Sequence, residues 1–489
     1  MRLVAALLLL LPLLPLPAAE EDLEAGLRRL VEVYSLVQKH YADPVDPEQM
    51  FYQGALPGML RTLDPHSAFL DRDQFESLQK MQTSVEKGFG SVVNLLPGRV
   101  IVLQTLPDSP SARSGLSPGD EIVVVNGYPL SQLTIEQLVG LLNQSRRQKA
   151  ELMVQRPGLT RLLSMTLVPA EMADPSVQRF FLLKPGIGYV KVTSFEGPTA
   201  EDLRAAINDL GGDKLKGLVL DLRGNPGGIV EAAVRSASFF LKPGQRILWI
   251  RGREGPQEEV TVPAGFHPFE FPICVLVDEK TASAAELLAG ALQDHDRATV
   301  LGQPTFGKGI VQSVFDVSEG TAVALTTAKY LTPSGRSIQR PLEDCELYAL
   351  VACNPPEDEF KTDLGRVVRG GGGIVPDTEV LPHAYTRLEA VMEATNSFFE
   401  FARQHIDRYP KLDDKFEAPP QMLDDFQFFL SQRRIRPDLA EWSSTLEYVR
   451  SRLKQEFFNL RFGVAKGDEV EALRQPAVIE AIRVIESAP

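Results

Sequence analysis

Residues 272–312 read PICVLVDEKTASAAELLAGALQDHDRATVLGQPTFGKGIVQ. The apolar run Ile273-Cys274-Val275-Leu276-Val277 after Pro272 predicts a buried strand. Glu286 to Leu292 predicts a helix, and Ala298 to Leu301 a second strand. Between the first strand and the helix lies the small-residue turn Thr281-Ala282-Ser283-Ala284-Ala285. A hydroxyl at such a turn projects from the fold, and the first free N–H groups of the helix point at developing negative charge. Twenty-five positions beyond Ser283, Lys308 stands between Gly307 and Gly309, with Gln312 four further on.

Outward from this stretch the pattern remains strand–helix alternation, from Gly186 to about Val380, which argues an α/β fold. Ile187 to Phe195 reads as a strand and Thr199 to Leu210 as a helix. Gly217 to Leu222 reads as a buried strand, followed by Arg223-Gly224-Asn225-Pro226-Gly227-Gly228 and a helix through Ile229 to Leu241. Period-two strands are expected at Val311 to Phe315 and Thr321 to Thr326. Gly370 to Gly373 with Pro376-Asp377 marks a closing loop.

The chemistry follows from residue types. A serine hydroxyl is a poor nucleophile until a base takes its proton. His295 lies on the same predicted helix, roughly 18 Å further along at about 1.5 Å per residue, out of reach. His40, His267, His383 and His405 stand in unrelated contexts, and His66 reads as a polar turn residue. Lys308 is the remaining base. To act it must be neutral, which burial among apolar groups favours. If Lys308 begins a strand, Gln312 shares its face and orients the amine without the charge that a carboxylate would add. The oxyanion hole is expected from the N–H of Ala284 and from Gly227 or Gly228, where glycine allows close backbone approach.

Residues 83–169 change to short strands. Val92 to Leu95 and Val100 to Leu103 flank the turn Pro97-Gly98, and a helix is expected around Ile135 to Leu142. Strands follow at Ala150 to Val154 and Leu162 to Leu167. Gly88-Phe89-Gly90-Ser91, Pro110 to Leu116 and Pro118-Gly119-Asp120-Glu121-Ile122-Val123-Val124-Val125-Asn126-Gly127 resemble a PDZ domain. A glycine-rich loop of that kind holds a terminal carboxylate on successive N–H groups, beside a strand edge that pairs with an extended peptide.

Both ends are helical. Leu23, Leu27, Leu30, Val31 and Tyr34 recur at helical spacing, with a weaker signal from Phe51 to Leu63. Beyond His383, helices are expected at Leu388 to Phe401, Phe426 to Leu430, Trp442 to Phe458 and Pro476 to Ile485; their phenylalanines suit core packing or a subunit interface. Met1-Arg2 precedes the apolar run Leu3 to Leu16, broken by Pro12 and Pro15. This reads as a secretory signal cleaved near Ala19, or else as a retained anchor. Either places the mature part outside the cytoplasm.

The balance of 51 basic against 65 acidic residues, a net charge of −14, argues against nucleic acid or an anionic membrane as main partner. Three cysteines exclude a disulfide framework. In an exported chain Cys345 and Cys353 have the opportunity to pair, whereas Cys274 lies in a buried strand. Gly302 to Lys308 has the spacing of a phosphate-binding loop. Gly309 replaces the hydroxyl such a loop needs, and a strand rather than a helix follows. Paired His or Cys at metal-ligand spacing is absent, so no metal or cofactor is expected.

Asp64-Pro65-His66-Ser67, the PDZ-like module, Asp221 to Gly228, Thr281 to Glu286, Gly307 to Gln312 and Thr327 to Arg336 together resemble the carboxy-terminal processing peptidases, or tail-specific proteases. The resemblance spans about residues 25–380. It implies a Ser–Lys endopeptidase with a crotonase-like (Clp-protease-like) α/β peptidase core, an inserted PDZ domain and helical N- and C-terminal regions. By position Ser283 matches the nucleophile, Lys308 the base and Gln312 the lysine-orienting residue. Some descriptions of the family add an aspartate matching Asp294, which at eleven residues along the helix is too distant to act directly. The domains are then a signal peptide (1–19), a helical N-terminal region (20–80), the PDZ domain (81–169), the peptidase core (170–382) and a helical C-terminal region (383–489). Expected partners are proteins or peptides with free C-termini, a second copy through the C-terminal helices, and a membrane only if the N-terminal segment is retained. The expected location is the periplasm or cell envelope. The rival reading is a catalytically silent PDZ-bearing adaptor.

Overall fold

The computed structural model describes residues 18–488 apart from 82–84, 107, 147, 158, 174, 254–255, 341–357, 410–411 and 414. The expected signal segment up to residue 17 and the Cys345–Cys353 pair lie outside the described residues. Among the described residues, no helix is long and apolar enough to cross a membrane.

The chain forms two compact units. One holds residues up to Asp71 together with Val314–Leu325, the other Arg72–Ser313 with Thr326 onward. In the first, the helix Ala18–His40 leaves Leu23, Leu27, Leu30 and Val31 exposed, although they recur at helical spacing. A π-helical turn, Gln49–Ala55, runs into the helix Leu56–Arg61. The Asp64 carboxylate then accepts the N–H groups of His66 and Ser67, both at 2.7 Å, and the Ser67 hydroxyl at 2.9 Å. This side-chain-made turn explains the Asp-Pro-His-Ser stretch and gives the His66 backbone a structural part. It delivers Ala68–Leu70 into antiparallel pairing with Ala322–Ala324.

In the second unit, Ser91–Leu96, Arg99–Thr105, Glu121–Val125, Ala150–Gln155 and Leu163–Leu167 form an antiparallel sheet in that order. The helix Ile135–Ser145 opens on a capping box between Thr134 and Gln137. Val100, Val102, Ile122, Leu138, Leu152 and Val154 fill the core between helix and sheet.

A second sheet runs Val177–Lys184, Ile187–Val192, Gly217–Asp221, Ile273–Val277, Thr299–Gly302, Thr378–Glu379, with only the first pair antiparallel. Alternation decides its two faces. Leu218, Leu220, Ile273, Val275, Val277 and Val300 pack with the helices Thr199–Asp209, Val230–Ser238 and Ala284–Asp294. Val219, Cys274, Leu276 and Leu301 face the other way and are covered by Ala477, Val478, Ala481, Ile482 and Ile485 of the helix Pro476–Ser487. A strand buried on both faces reads as a continuous apolar run, which is why Ile273–Val277 shows no alternation. Cys274 is a buried packing residue, its sulfur 3.6 Å from the Ala481 carbonyl.

The last hundred residues therefore divide their work. Phe398, Phe401, Phe426, Phe429 and Phe457 build a helical core of their own with Met422, Trp442 and Leu453. The final helix belongs to the α/β layers, so close that a side chain at Gly217 would overlap Ile485.

Candidate active site

Three loops leave the carboxyl ends of three adjacent parallel strands. Residues 222–229 follow Gly217–Asp221, residues 278–283 follow Ile273–Val277, and residues 303–309 follow Thr299–Gly302. The crevice outside such strand ends is where open α/β sheets place their sites. Ser283, the Gly227–Gly228 turn and Lys308 sit one on each loop.

The loops are stapled to one another. The Thr281 hydroxyl donates to the Leu222 carbonyl at 2.9 Å, and the Ala282 N–H to the Asn225 carbonyl at 2.9 Å. Asp278 accepts the Gly224 N–H at 2.8 Å. The Phe306 N–H reaches the Thr281 carbonyl at 3.0 Å, which ties in the third loop.

Ser283 is half-buried at the N-cap of the helix Ala284–Asp294, with φ 54° and ψ −119°. A non-glycine residue held at positive φ costs on the order of 1–3 kcal/mol and persists only where its surroundings impose it. What imposes it here is Glu286. Its buried carboxylate accepts the N–H of Ser283 at 2.8 Å and of Lys308 at 2.9 Å on one oxygen. The other oxygen takes the Gly307 N–H at 2.8 Å and the Thr305 hydroxyl at 2.5 Å. Burial pushes this carboxyl up from its ordinary range, against the pull of those four donors. No expected role falls on Glu286, although Ser283-Ala284-Ala285-Glu286 has the spacing of a capping box.

Lys308 is half-buried, and its ammonium nitrogen donates to Gln312 Oε1 at 2.8 Å. The two side chains meet as their spacing predicts, although the strand starts at Ile310 rather than at Lys308.

Gly227 adopts φ 100° and lies against the serine turn. A Cβ there would come within 2.8 Å of Ser283 Cβ and 3.0 Å of the Ala284 nitrogen. Its N–H donates to Asn225 Oδ1 at 2.8 Å, so in this arrangement Gly227 is not an open donor. Gly228, φ 136°, is bridged in parallel to Phe195. The bridge uses the Gly227 carbonyl and the Ile229 N–H, and it turns the Gly228 N–H the other way. Among the described residues neither Gly228 nor Ala284 spends its N–H on an intramolecular acceptor. Of the three expected donors, Gly227 is thus the one whose N–H is already bonded.

Asp294 stands far along the helix and is fully buried against Arg336, 2.7 Å away, while also accepting the Ser334 N–H at 2.9 Å. His295 bonds Asp363 at 2.7 Å and the Arg246 carbonyl at 2.6 Å. Both are structural.

In the PDZ-like sheet, Gly88 closes one strand and Ser91 opens the next. Between them the Phe89 carbonyl accepts the Ser111 N–H at 2.9 Å, and the Gly90 carbonyl accepts the Leu106 N–H at 2.8 Å. Among the described residues, the N–H groups of Phe89 and Gly90 have no acceptor. Exposed Val92, Ile135 and Val139 lie on the strand and helix that follow this loop.

A half-buried serine at a strained helix start, beside open backbone donors and a lysine–glutamine pair, fits a serine hydrolase site. Comparison with known proteins gives the same class. The model of peptidase family S41 matches residues 186–344, that of the activating protease CtpB N-terminal domain matches 17–74, and that of the PDZ domain matches 101–156. A carboxy-terminal-processing protease of Bartonella bacilliformis is 35% identical over 327 residues, 65% of this chain and 74% of that protein. The carboxy-terminal processing protease CtpB of Bacillus subtilis is 30% identical over 325 residues, 66% of this chain and 67% of that one. Among solved structures, the photosystem II D1 C-terminal processing protease is similar at 26% identity. That match covers 72% of this chain and 86% of the other, with a TM-score of 0.40. The chain belongs to peptidase family S41, the carboxy-terminal processing serine proteases, and carries a PDZ domain.

Proposed function

We propose that this chain is an exported endopeptidase that receives protein C-terminal tails on its PDZ domain and cleaves peptide bonds with Ser283 and Lys308. The observation that carries this reading is the shared Glu286 oxygen, which fixes the nucleophile's turn and the base's loop to each other.

The chemistry runs as acyl transfer. Ser283 Oγ attacks the substrate carbonyl carbon while Lys308 Nζ takes its proton. The carbonyl oxygen becomes an oxyanion, stabilised by the N–H groups of Ala284 and Gly228. Lys308 then passes the proton to the leaving amine, and the acyl group stays on Ser283. A water, deprotonated by the same amine, attacks the ester and releases the acid. A neutral lysine has two N–H bonds and one lone pair. Gln312 accepts one N–H, which leaves the lone pair to be aimed at the serine hydroxyl. The amide does this without charge, so it does not favour the protonated lysine as a carboxylate would.

The unpaired N–H groups of Phe89 and Gly90, in the loop Gly88-Phe89-Gly90-Ser91, would take the terminal carboxylate of a substrate, with its last apolar side chain against Val92, Ile135 and Val139. Tail binding there would shift the PDZ domain and complete the site. A second copy seated on the C-terminal helices would meet Phe428 and Phe462, which stay exposed while most of the other rings fill the helices' own core. Pairing of Cys345 with Cys353 would accompany export.

Cleavage of an unfolded protein by wild type, and its loss by at least about 10³-fold in Ser283→Ala and Lys308→Ala, is the expected result. Persistent cleavage by either variant would sink the dyad, and a wild type inert on many unfolded substrates would make the chain an adaptor. Equal rates on free and amidated C-termini would remove the PDZ domain from substrate selection.

A further inference from the structure

The turn that carries Gly228 begins at Arg223, and Arg223 is gripped from two sides. Its Nε and Nη2 bind both oxygens of the fully buried Asp221, at 2.9 and 2.5 Å, and its own N–H returns to Asp221 Oδ1 at 2.9 Å. Asp221 also accepts the Tyr189 hydroxyl at 2.6 Å, and the Arg223 carbonyl receives Lys191 Nζ at 3.1 Å. From the other side, Nη2 donates to Gln475 Oε1 at 2.5 Å.

Gln475 stands 252 positions further along the chain, at the elbow between the helices Val464–Arg474 and Pro476–Ser487. It lies beyond every family-matched segment. Its amide is oriented by opposite charges at its two ends. The Nε2 group donates to Glu471 Oε1 at 3.3 Å, and the other Glu471 oxygen is held by Gln455 Nε2 at 3.1 Å. The acceptor oxygen must therefore face Arg223. The elbow itself is anchored, because the following helix is the second cover of the central sheet.

We propose that Gln475 is a positioning residue for the oxyanion turn, through which the C-terminal region sets the place of the Gly228 N–H relative to Ser283. The guanidinium has donors on one plane, and Asp221 alone would leave it free to tilt about the carboxylate. A second acceptor, fixed to the sheet's far cover, removes that freedom. A neutral acceptor serves better than a charged one, since it does not compete for the ion pair with Asp221. The turn then enters Gly224 from one fixed direction, where Asp278 and the Asn225–Ala282 bond carry it on to Ser283. A donor must sit within hydrogen-bond range of where the oxyanion forms, so a small tilt at Arg223 acts on the transition state rather than on the bound substrate.

This inference rests on the oxyanion role of the Gly228 turn proposed above. Its test compares Gln475→Leu and Gln475→Glu with wild type in the full chain, using a peptide substrate, a peptide boronic acid and thermal unfolding. Gln475→Leu is expected to lower kcat about tenfold with KM within about twofold, and to weaken the boronic acid in parallel. Gln475→Glu, which keeps an oxygen toward Arg223, is expected to restore most of kcat. Active-site titration corrects for any unfolded fraction. The proposal is overturned if Gln475→Leu keeps wild-type kcat, if kcat falls while the boronic acid binds as before, or if Gln475→Glu behaves as Gln475→Leu. An active Ser283→Ala protein would instead overturn the mechanism beneath it, so the two failures are distinct.

Discussion

Ser283 and Lys308, twenty-five positions apart, donate their backbone N–H groups to the same oxygen of Glu286, at 2.8 and 2.9 Å. The spacing of these two residues is thus set through the main chain, before either side chain chooses a rotamer. Glu286→Gln keeps the shape but turns an NH₂ group toward N–H or O–H donors, leaving at least one pair unmatched inside the protein. We expect a stability loss of roughly 2–4 kcal/mol and a fall in kcat of about 10²-fold. Denaturant unfolding and steady-state kinetics check the two parts separately. Wild-type kcat in the folded variant would show that the carboxylate only fills space.

Gly227 and Gly228 are expected to fail differently. A Cβ at Gly227 would press on Ser283 Cβ and the Ala284 nitrogen, the reacting side of the turn. At Gly228 it would come within 2.1 Å of the Phe195 carbonyl oxygen, in the structural bridge behind it. Gly227→Ala should therefore lose kcat per folded molecule by at least about 10²-fold, beyond whatever stability its positive φ costs. Gly228→Ala should lose several degrees of melting temperature, about 1–3 kcal/mol or more. Thermal melts and kinetics on the two proteins would reverse this assignment if Gly228→Ala were the better folded of the pair.

Much of this is legible in the sequence. Ile273–Val277 and residues 217–220 carry no polar side chain because helices cover both faces, and the loops after them announce themselves by glycine and small residues. Lys308 and Gln312 could be paired from spacing alone. What escaped had partners far away in the chain. Arg246–Gly252 and Glu258–Thr261 are strands whose charged residues mask the period, and they are recognisable only through pairing with each other and with residues 328–331. Pro476 to Ile485 reads as a helix from the sequence, but nothing local says that this helix, Pro476–Ser487, covers a sheet whose strands begin some three hundred residues earlier. Nor does anything local in the sequence say that the Asn225 side chain takes the Gly227 N–H.

Asp294 offers a separation of stability from catalysis. It and Arg336 are fully buried, 2.7 Å apart, and the aspartate also holds the Ser334 N–H. Removing one partner of such a pair strands the other charge. Asp294→Ala should cost about 3–5 kcal/mol of stability, while kcat per folded molecule stays within about threefold. Urea titration together with active-site-titrated kinetics reads both, and a loss of kcat far exceeding the loss of folded protein would give Asp294 a chemical role.

The PDZ domain is seated on the C-terminal helices. Arg99 binds both oxygens of Glu121 at 2.8 Å and reaches across to Glu400 at 2.8 Å, while the Val464 N–H donates to Gln104 at 3.1 Å. Glu400 is only 5% exposed at its side chain, and Arg403 shares it at 3.1 Å. This pair should therefore exceed an ordinary surface ion pair. A double-mutant cycle on Arg99→Met and Glu400→Gln is expected to give a coupling of about 1–3 kcal/mol. A coupling indistinguishable from zero would mean that the contact does not join the two parts.

Asp468 should make stability fall as pH rises. Burial pushes its carboxyl from 3.8 up to about 6, against the nearby Arg179 and Lys191 and with Glu471 adding to the rise. Below the ordinary value it is protonated folded or unfolded. Between 3.8 and about 6 the unfolded chain has released the proton and the folded one has not, so stability declines through that window and levels off above it. Asp468→Asn has no proton to lose and keeps a hydrogen-bonding group toward Arg179. The melting temperatures of the two proteins should agree best near pH 4 and then separate. The variant should be higher by a few degrees above about pH 6, with the gap constant thereafter. Other titrating groups are common to both proteins and cancel in the difference. A gap that is the same at every pH would assign the effect to packing of the helix Val464–Arg474 rather than to the proton.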